Sequence, residues 1–319
     1  MRITRLAPSP TGALHLGNAR TFLANWLLAR QNGWKIILRI EDLDGPRIKA
    51  GADRQAIDDL RWLGIDWDEG PIYQSSRLEF YSKAVQQLIE NGRAYPCICS
   101  RREIDLAASA PHAEDGSNVY PGTCRGKFKT MDEARAATGK NPATRFAVEE
   151  EQIEFTDAFA GHRIFNVKRE LGDFVISKAD GTPAYQLAVV VDDAQMGVNE
   201  VVRGDDLLDS TPRQILLYRA LGMADRIPQY THLPLVIGED GRRLAKRHGD
   251  TRIATYRDAG VPAERVLALM ARWLDIGETS HPISARLLLD SFHLNRLPNQ
   301  PIVFSSADDR WLRDYDASR

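Results

Sequence analysis

The chain has 319 residues, with 42 Lys and Arg against 44 Asp and Glu, so any nucleic-acid contact must come from local basic patches rather than a global positive charge. That length supports one large domain or two to three smaller ones with a substantial core. No apolar run reaches bilayer length and no apolar leader precedes the first motif, which predicts a cytoplasmic chain without membrane contact.

Taken in chain order, residues 2–7 read as a short strand and Leu16 to Asn32 as a helix stopping near Gly33. "WKIILRIED" (34–42) has the continuous apolar run of a buried strand. Strand, helix and strand within about 40 residues form a βαβ unit and favour a parallel sheet. Amphipathic helices are expected over 51–63 and 77–92. From Ala94 to about Pro183 the texture becomes irregular, with two β-rich stretches, "EFTDAFAGHRIFNV" and "DFVISKADGTPAYQL". Sheet-like features then return. A helix or apolar run leads to the strand "VNEVVRG", a helix starts near Ser210, and "THLPLVI" (231–237) reads as one more strand. Helices are expected from Gly241 to about 275, followed by a loop-rich end. The fold class is therefore α/β, a parallel-sheet domain split by an insertion and followed by a short helical region.

The loop after the first strand, "RLAPSPTGALHLGNAR", lies where open parallel sheets bind ligands, at the carboxyl ends of the strands. Pro8 and Pro10 stiffen the approach, and Gly12 is read as permitting a turn. His15, Gly17 and Asn18 fall at the start of the helix, where unpaired N–H groups and the helix dipole favour anions. Gly17 has no side chain to keep a base or ribose off the backbone. His15 has a proton to offer a phosphate that gains charge in a transition state. Far downstream, "GRRLAKRHGD" (241–250) reads either as a solvated basic loop or as a cationic loop, centred on Lys246, for neutralising a triphosphate.

Cysteine is scarce: Cys97, Cys99 and Cys124 are the three, and pairing them would leave one over. C-x-C followed by Y-x3-C allows a closed zinc site. On the residues alone His112, the histidine of the loop between the ligand pairs, is the generic choice for a fourth ligand.

"H-L-G-N" with "L-A-K-R" resembles the HIGH and KMSKS signature pair of class I aminoacyl-tRNA synthetases. "LRIEDLD", "PAYQLAVVVDD", "VVRGDDLLDSTPRQ" and "LAKRHGD" place the resemblance in the glutamyl branch, over Arg5 to about Asp250. It implies a Rossmann-type domain in two halves (1–93 and 184–240), split by a zinc-bearing insertion (94–183). A helical stem-like region with the KMSKS-type loop follows (241–319), without an anticodon-binding domain. It also implies activation of L-glutamate by ATP, with Mg2+ accompanying the nucleotide. Arg5 and Arg203 would hold the side-chain carboxylate, for which a planar guanidinium fork is suited. Glu41 would take the ammonium group, and Ala7, Ser9 and Tyr185 would complete the pocket. His15, Gly17, Asn18 and Lys246 would handle ATP, His15 and Lys246 as catalytic groups, although Ala245 replaces the usual flanking serine.

Two departures direct the resemblance to a truncated paralogue family, the glutamyl-queuosine tRNA(Asp) synthetases. The chain stops soon after the sheet domain, and Val189 stands where the full-length enzymes have an amide. That family's pattern favours Tyr120 as the fourth ligand of one structural Zn2+. It implies transfer of glutamate to queuosine in the tRNA(Asp) anticodon stem-loop, by a monomer. Arg125, Lys127, Lys129 and Arg252 are candidate phosphate contacts. The competing readings are a truncated glutamyl-tRNA synthetase charging the tRNA 3′ end, a non-catalytic RNA-binding paralogue, and another adenylate-forming enzyme. The last gives no reason for Arg203 and Glu41.

Overall fold

The computed structural model describes residues 1–100, 102–104, 119–150, 152–242, 244, 250–277 and 283–314. His112 and Lys246 lie outside the described residues.

Strand β1 (Ile3–Leu6), helix α1 (Leu16–Gln31) and strand β2 (Lys35–Ile40) realise the expected βαβ unit. β1 and β2 run parallel, with Ile3 opposite Lys35 and Leu6 opposite Leu38. Helix α2 (Ala52–Trp62) leads to β3 (Glu69–Tyr73), which adds to β2 in parallel. Helix α3 (Leu78–Glu90) then carries the chain to the insertion.

Within the insertion, β4 (Ala94–Cys97), helix α4 (Met131–Thr138), β5 (Ala143–Phe146), β6 (Ile153–Asp157), β7 (Gly161–Phe165) and β8 (Phe174–Ser177) follow in order. β4, β5 and β8 form an antiparallel sheet, and β6 and β7 a separate hairpin. Helix α4 is capped by Thr130, whose hydroxyl accepts from the Glu133 amide, and ends at Gly139 in the left-handed region (φ 68°). The stretch "PAYQL", read from sequence as β-rich, is not a strand. After the turn at Gly181, Tyr185 opens helix α5 (Tyr185–Met196). The apolar run that follows it is therefore a helix buried along nearly its whole length, for which alternation offers no guide.

β9 (Glu200–Gly204), helix α6 (Ser210–Ala220) and β10 (Gln229–Leu233) return to the parallel architecture, with Arg203 opposite His232. β9 lies beside β1, where the Asn199 amide donates to the Ile3 carbonyl at 3.0 Å. The strands thus run β3-β2-β1-β9-β10, and the order reverses between β1 and β9, the place where such sheets open a crevice. The strand expected over 231–237 breaks at Pro234. β11 (Val236–Gly238) instead pairs with β12 (Ile302–Phe304), a strand sequence reading missed. Between them lie helices α7 (Ile253–Asp258) and α8 (Ala263–Trp273), and α9 (Ser306–Arg313) follows.

Helix α1 is the centre of the main core. Leu16, Leu23, Trp26 and Leu27 are fully buried against the sheet on one side and the later helices on the other. Asn25 is buried too. Its amide donates to the Arg5 carbonyl at 3.0 Å and its oxygen accepts from the Thr4 hydroxyl at 3.0 Å, which satisfies its polar groups and fixes α1 against β1. Among the described residues, no helix is long and apolar enough to cross a membrane.

Candidate active site

A cavity of about 700 Å³ opens at the carboxyl ends of β1 and β9. Arg5, Ala7, Ser9, His15, Gly17, Asn18, Glu41, Tyr185 and Arg203 all line it. Nine residues chosen from four separated segments therefore share one wall. Lys246 lies outside the described residues, but the chain on both sides of it is anchored. The Arg242 carbonyl accepts from the Gly238 amide at 2.8 Å, and the Thr251 carbonyl accepts from the Leu16 amide at 3.0 Å.

The helix start is built closely. His15 is the N-cap of α1, and its Nδ1 accepts from the Asn18 amide at 3.4 Å, which leaves the ring proton on Nε2. A Cβ at Gly17 would sit 3.3 Å from the His15 ring and 3.4 Å from the Val236 Cβ, so glycine permits this packing. Gly12 is different. Its φ is not positive and nothing lies within 4 Å of a Cβ built there, so the expected turn does not require glycine. The 8–9 stretch runs beside Glu41: the Glu41 amide donates to the Pro8 carbonyl at 3.0 Å, and the Ser9 hydroxyl to the Glu41 carbonyl at 3.2 Å.

Below the cavity Arg5 and Glu41 join a network of buried charges whose other members, Arg39, Asp192 and Asp193 among them, the sequence did not single out. Arg39 is fully buried. It donates to Glu41 at 3.0 Å and to Asp193, and lies 3.8 Å from Asp192. Asp192 also accepts from Gln74 at 2.8 Å, Tyr81 at 2.8 Å and Arg77 at 2.7 Å. Arg5 lies 3.6 Å from Asp193 and donates to the Val202 carbonyl at 3.4 Å. Burial of so many charges is tolerable because each has an opposite partner. Burial raises the Glu41 pKa above the ordinary carboxylate value, although the positive charges of Arg39 and Arg5 pull the other way. Glu41 is thus already paired with Arg39 before any ligand enters.

Arg203 is buried, and three of its donors are occupied by protein. Nε donates to His232 Nε2 at 2.9 Å, and Nη2 donates to the Thr211 hydroxyl at 2.9 Å and the Leu207 carbonyl at 3.3 Å. Its Nη1 is buried with no hydrogen-bond partner among the described residues. A buried guanidinium nitrogen in a cavity wall is costly unless an acceptor arrives, so the site suits an anionic ligand. Val189, by contrast, is buried one turn beyond Tyr185 on α5 and is not part of the cavity wall.

The cysteine cluster lies in the insertion. The sulfurs of Cys97, Cys99 and Cys124 all fall within 4.8 Å of one another. The Tyr120 hydroxyl is 3.4 Å from Cys97 Sγ and 3.6 Å from Cys99 Sγ, and Cys99 and Cys124 Sγ are 3.5 Å apart. A tetrahedron with metal–sulfur bonds of about 2.3 Å has edges of about 3.8 Å, so the donor set fits a zinc ion. Arg145 reinforces the site: its Nε is 3.2 Å from Cys97 Sγ, and its guanidinium lies 3.8 Å over the Tyr120 ring. Of the candidate phosphate contacts, Arg125 is engaged with Asp173 at 3.4 Å and Arg252 with Asp250.

A parallel sheet with its switch point between β1 and β9, the start of helix α1 and two buried arginines thus meet at one cavity, the place where α/β sheets of this class open a ligand crevice. A family profile described as "tRNA synthetases class I (E and Q), catalytic domain" matches residues 2–308. A protein of Symbiobacterium thermophilum named glutamyl-Q tRNA(Asp) synthetase is 50% identical over 93% of this chain and 94% of its own length. A glutamate–tRNA ligase of Sulfurihydrogenibium sp. is 41% identical over 98% of this chain, which spans 66% of that relative. The crystal structure of a glutamate tRNA ligase from Elizabethkingia meningosepticum in complex with its amino acid superposes with a TM-score of 0.81. It is 29% identical, with 98% of this chain and 68% of that one covered. The chain therefore belongs to the class I aminoacyl-tRNA synthetase family, in the glutamyl branch that includes the glutamyl-Q tRNA(Asp) synthetases, and is a ligase of that type.

Proposed function

We propose that the protein activates L-glutamate with Mg2+-bound ATP and transfers it to queuosine at the wobble position of the tRNA(Asp) anticodon. The α-carboxylate of glutamate attacks the α-phosphate of ATP, giving glutamyl-adenylate and pyrophosphate. A hydroxyl of the queuosine cyclopentene-diol then displaces AMP. Arg5 and Arg203 bind the side-chain carboxylate, and Glu41 receives the ammonium group. Ala7, Ser9 and Tyr185 complete the amino-acid pocket. His15, Gly17, Asn18 and Lys246 bind ATP, with His15 and Lys246 facing the phosphates as charge moves onto pyrophosphate. The observation that carries this reading is the buried Nη1 of Arg203, without a hydrogen-bond partner among the described residues, in the same cavity wall as the α1 start.

The choice of queuosine over the tRNA 3′ end rests on the higher identity to the glutamyl-Q relative, 50% against 41% for the glutamate–tRNA ligase. Unpaired anticodon bases are accessible in the way protein sites usually read RNA. Cys97, Cys99, Tyr120 and Cys124 hold one structural zinc, which stiffens the 94–183 insertion between the two catalytic halves, 1–93 and 184–240. The 241–319 region supports the KMSKS-type loop, and the enzyme works as a cytoplasmic monomer.

The deciding experiment charges tRNA(Asp) with radiolabelled glutamate, comparing tRNA with and without queuosine and queuosine-containing tRNA shortened by its 3′-terminal adenosine. Charging that needs queuosine and survives loss of the terminal adenosine supports the proposal. Charging that is lost with the terminal adenosine supports the glutamyl-tRNA synthetase reading instead.

A further inference from the structure

The insertion hairpin meets the sheet at a buried acid. Asp157, the last residue of β6, is buried, and its Oδ2 accepts from His232 Nδ1 at 2.6 Å. Its Oδ1 accepts from the amides of Phe159 at 3.0 Å, Ala160 at 2.7 Å and His232 at 3.1 Å. The hairpin is docked there by its backbone. The Ala158 amide donates to the Tyr230 carbonyl at 2.8 Å, and the Gln229 side chain donates to the Thr156 carbonyl at 3.0 Å.

Because Nδ1 gives its proton to Asp157, His232 Nε2 has a lone pair, and Arg203 Nε donates to that lone pair at 2.9 Å. Tyr230 completes the cradle, stacked on the His232 ring with centroids 6.1 Å apart and lying under the Arg203 guanidinium at 5.2 Å. Thr211 and Leu207 hold Nη2 from the other side. The guanidinium is thus fixed on two of its three nitrogens, and the remaining one, Nη1, has no hydrogen-bond partner among the described residues.

We propose that Asp157 and His232 form a positioning relay by which the β6–β7 hairpin aims Arg203 at the carboxylate of the amino-acid substrate, making the hairpin a determinant of glutamate selectivity. Neither residue touches substrate. Asp157 fixes the tautomer of His232, His232 fixes the plane of Arg203, and the plane decides whether Nη1 meets the carboxylate. The inference rests on the reading of Arg203 as the carboxylate-binding residue. A purely structural role for the pair would lower stability and affect every substrate equally. A positioning role acts on glutamate alone, because the helix start that serves ATP is on another element.

The test is glutamate-dependent ATP–pyrophosphate exchange by the full chain, with KM measured separately for glutamate and ATP and with glutamine as competitor. His232→Leu removes the acceptor for Arg203 Nε. It should raise the glutamate KM by about 10- to 100-fold, the range of a lost charge-assisted hydrogen bond, while the ATP KM moves by less than about 3-fold. Selectivity over glutamine should fall in parallel. His232→Gln, whose amide oxygen can accept from Arg203, should recover most of the loss. Asp157→Asn, of nearly the same size, should show an intermediate loss of the same kind. If His232→Leu fails to fold, the Gln and Asn variants decide. A glutamate KM that stays normal, or that rises in step with the ATP KM, overturns the relay while leaving the proposed function standing. Absence of glutamate-dependent exchange in the unaltered protein overturns the functional reading and the relay with it.

Discussion

The backbone amide of Leu16 donates to the carbonyl of Thr251 at 3.0 Å, and the amide of Ile253 returns the bond to Leu14 at 2.9 Å. His15 and Arg252 are thereby paired as a two-residue bridge between the start of α1 and the chain that leaves the basic loop. The loop carrying Lys246 is tied, at its downstream end, to the helix start proposed to receive the phosphates.

Lys246→Ala should therefore reduce pyrophosphate exchange without weakening glutamate binding. Loss of one electrostatic stabiliser of a developing charge typically costs about 10²- to 10³-fold in rate. Exchange kinetics set beside calorimetric glutamate binding check this. A fall in glutamate affinity equal to the fall in rate would assign Lys246 to the amino-acid pocket instead.

Arg203→Lys should be nearly as damaging as Arg203→Ala. A single ammonium cannot replace a fork that meets His232, Thr211 and a carboxylate together. Both variants are expected to lose at least about 100-fold in kcat/KM for glutamate, because a desolvated carboxylate is left without its partner. Arg5→Ala should lose glutamate use too and also lower the Tm, since Asp193 then keeps only Arg39 of its two guanidinium neighbours. Thermal melts alongside exchange assays separate the two effects.

Metal analysis should find one zinc per chain, and a strong chelator should lower the Tm as the metal leaves. Cys124→Ser and Tyr120→Phe test the donor set directly. The serine variant should lose most of its zinc. The phenylalanine variant should lose zinc to the extent that the hydroxyl, 3.4 Å from Cys97 Sγ, is a ligand. Full zinc content in Tyr120→Phe would remove Tyr120 from the set.

His232 makes stability depend on pH in a definite direction. Burial lowers its pKa below the ordinary value near 6.5; the Asp157 carboxylate opposes this and the Arg203 charge reinforces it. Thr211 and Tyr230 face the ring without titrating in this range. Below about pH 6.5 the unfolded chain takes up a proton that the native histidine refuses. The stabilising contribution is therefore complete above that pH and lost as the pH falls through the native value. Tm measured between about pH 5 and 8 should decline on acidification. The decline should be shallower in His232→Gln, and an identical slope in the two proteins would exclude His232 as its source.

Much of the site was legible because its parts occur as dense local words. The PSPTG and HLGN segments, "RIED", "AYQL" and "VVRG" each put a distinctive polar group beside glycine, proline or an apolar strand, and all of them reach one cavity. What escaped was the layer behind them. Arg39, Asp192 and Asp193 sit inside apolar runs where a charge looks like a solvated surface residue, and only the packing of α5 on β2 brings them together. Asp157 and His232 are 75 residues apart, and no local pattern links a hairpin end to a strand interior. The break at Pro234 was missed for a related reason. β11 is a strand because β12 pairs with it, and β12 lies in a region with little periodicity of its own.

That last pairing has a consequence for how the protein is made. Val236 of β11 is part of the cavity wall, and β11 finds its strand partner only at Ile302–Phe304. The wall opened by β1 is thus completed by the pairing of a strand far downstream. At elongation rates of about 5–20 residues per second, tens of seconds separate the emergence of β1 from that of β12. During that interval Arg5, Arg39 and their acidic partners already exist in the growing chain while the pocket does not. A nascent chain stalled before residue 300 should fold its sheet and insertion yet bind nucleotide poorly, so competence for ligand is acquired only once Ile302–Phe304 has emerged.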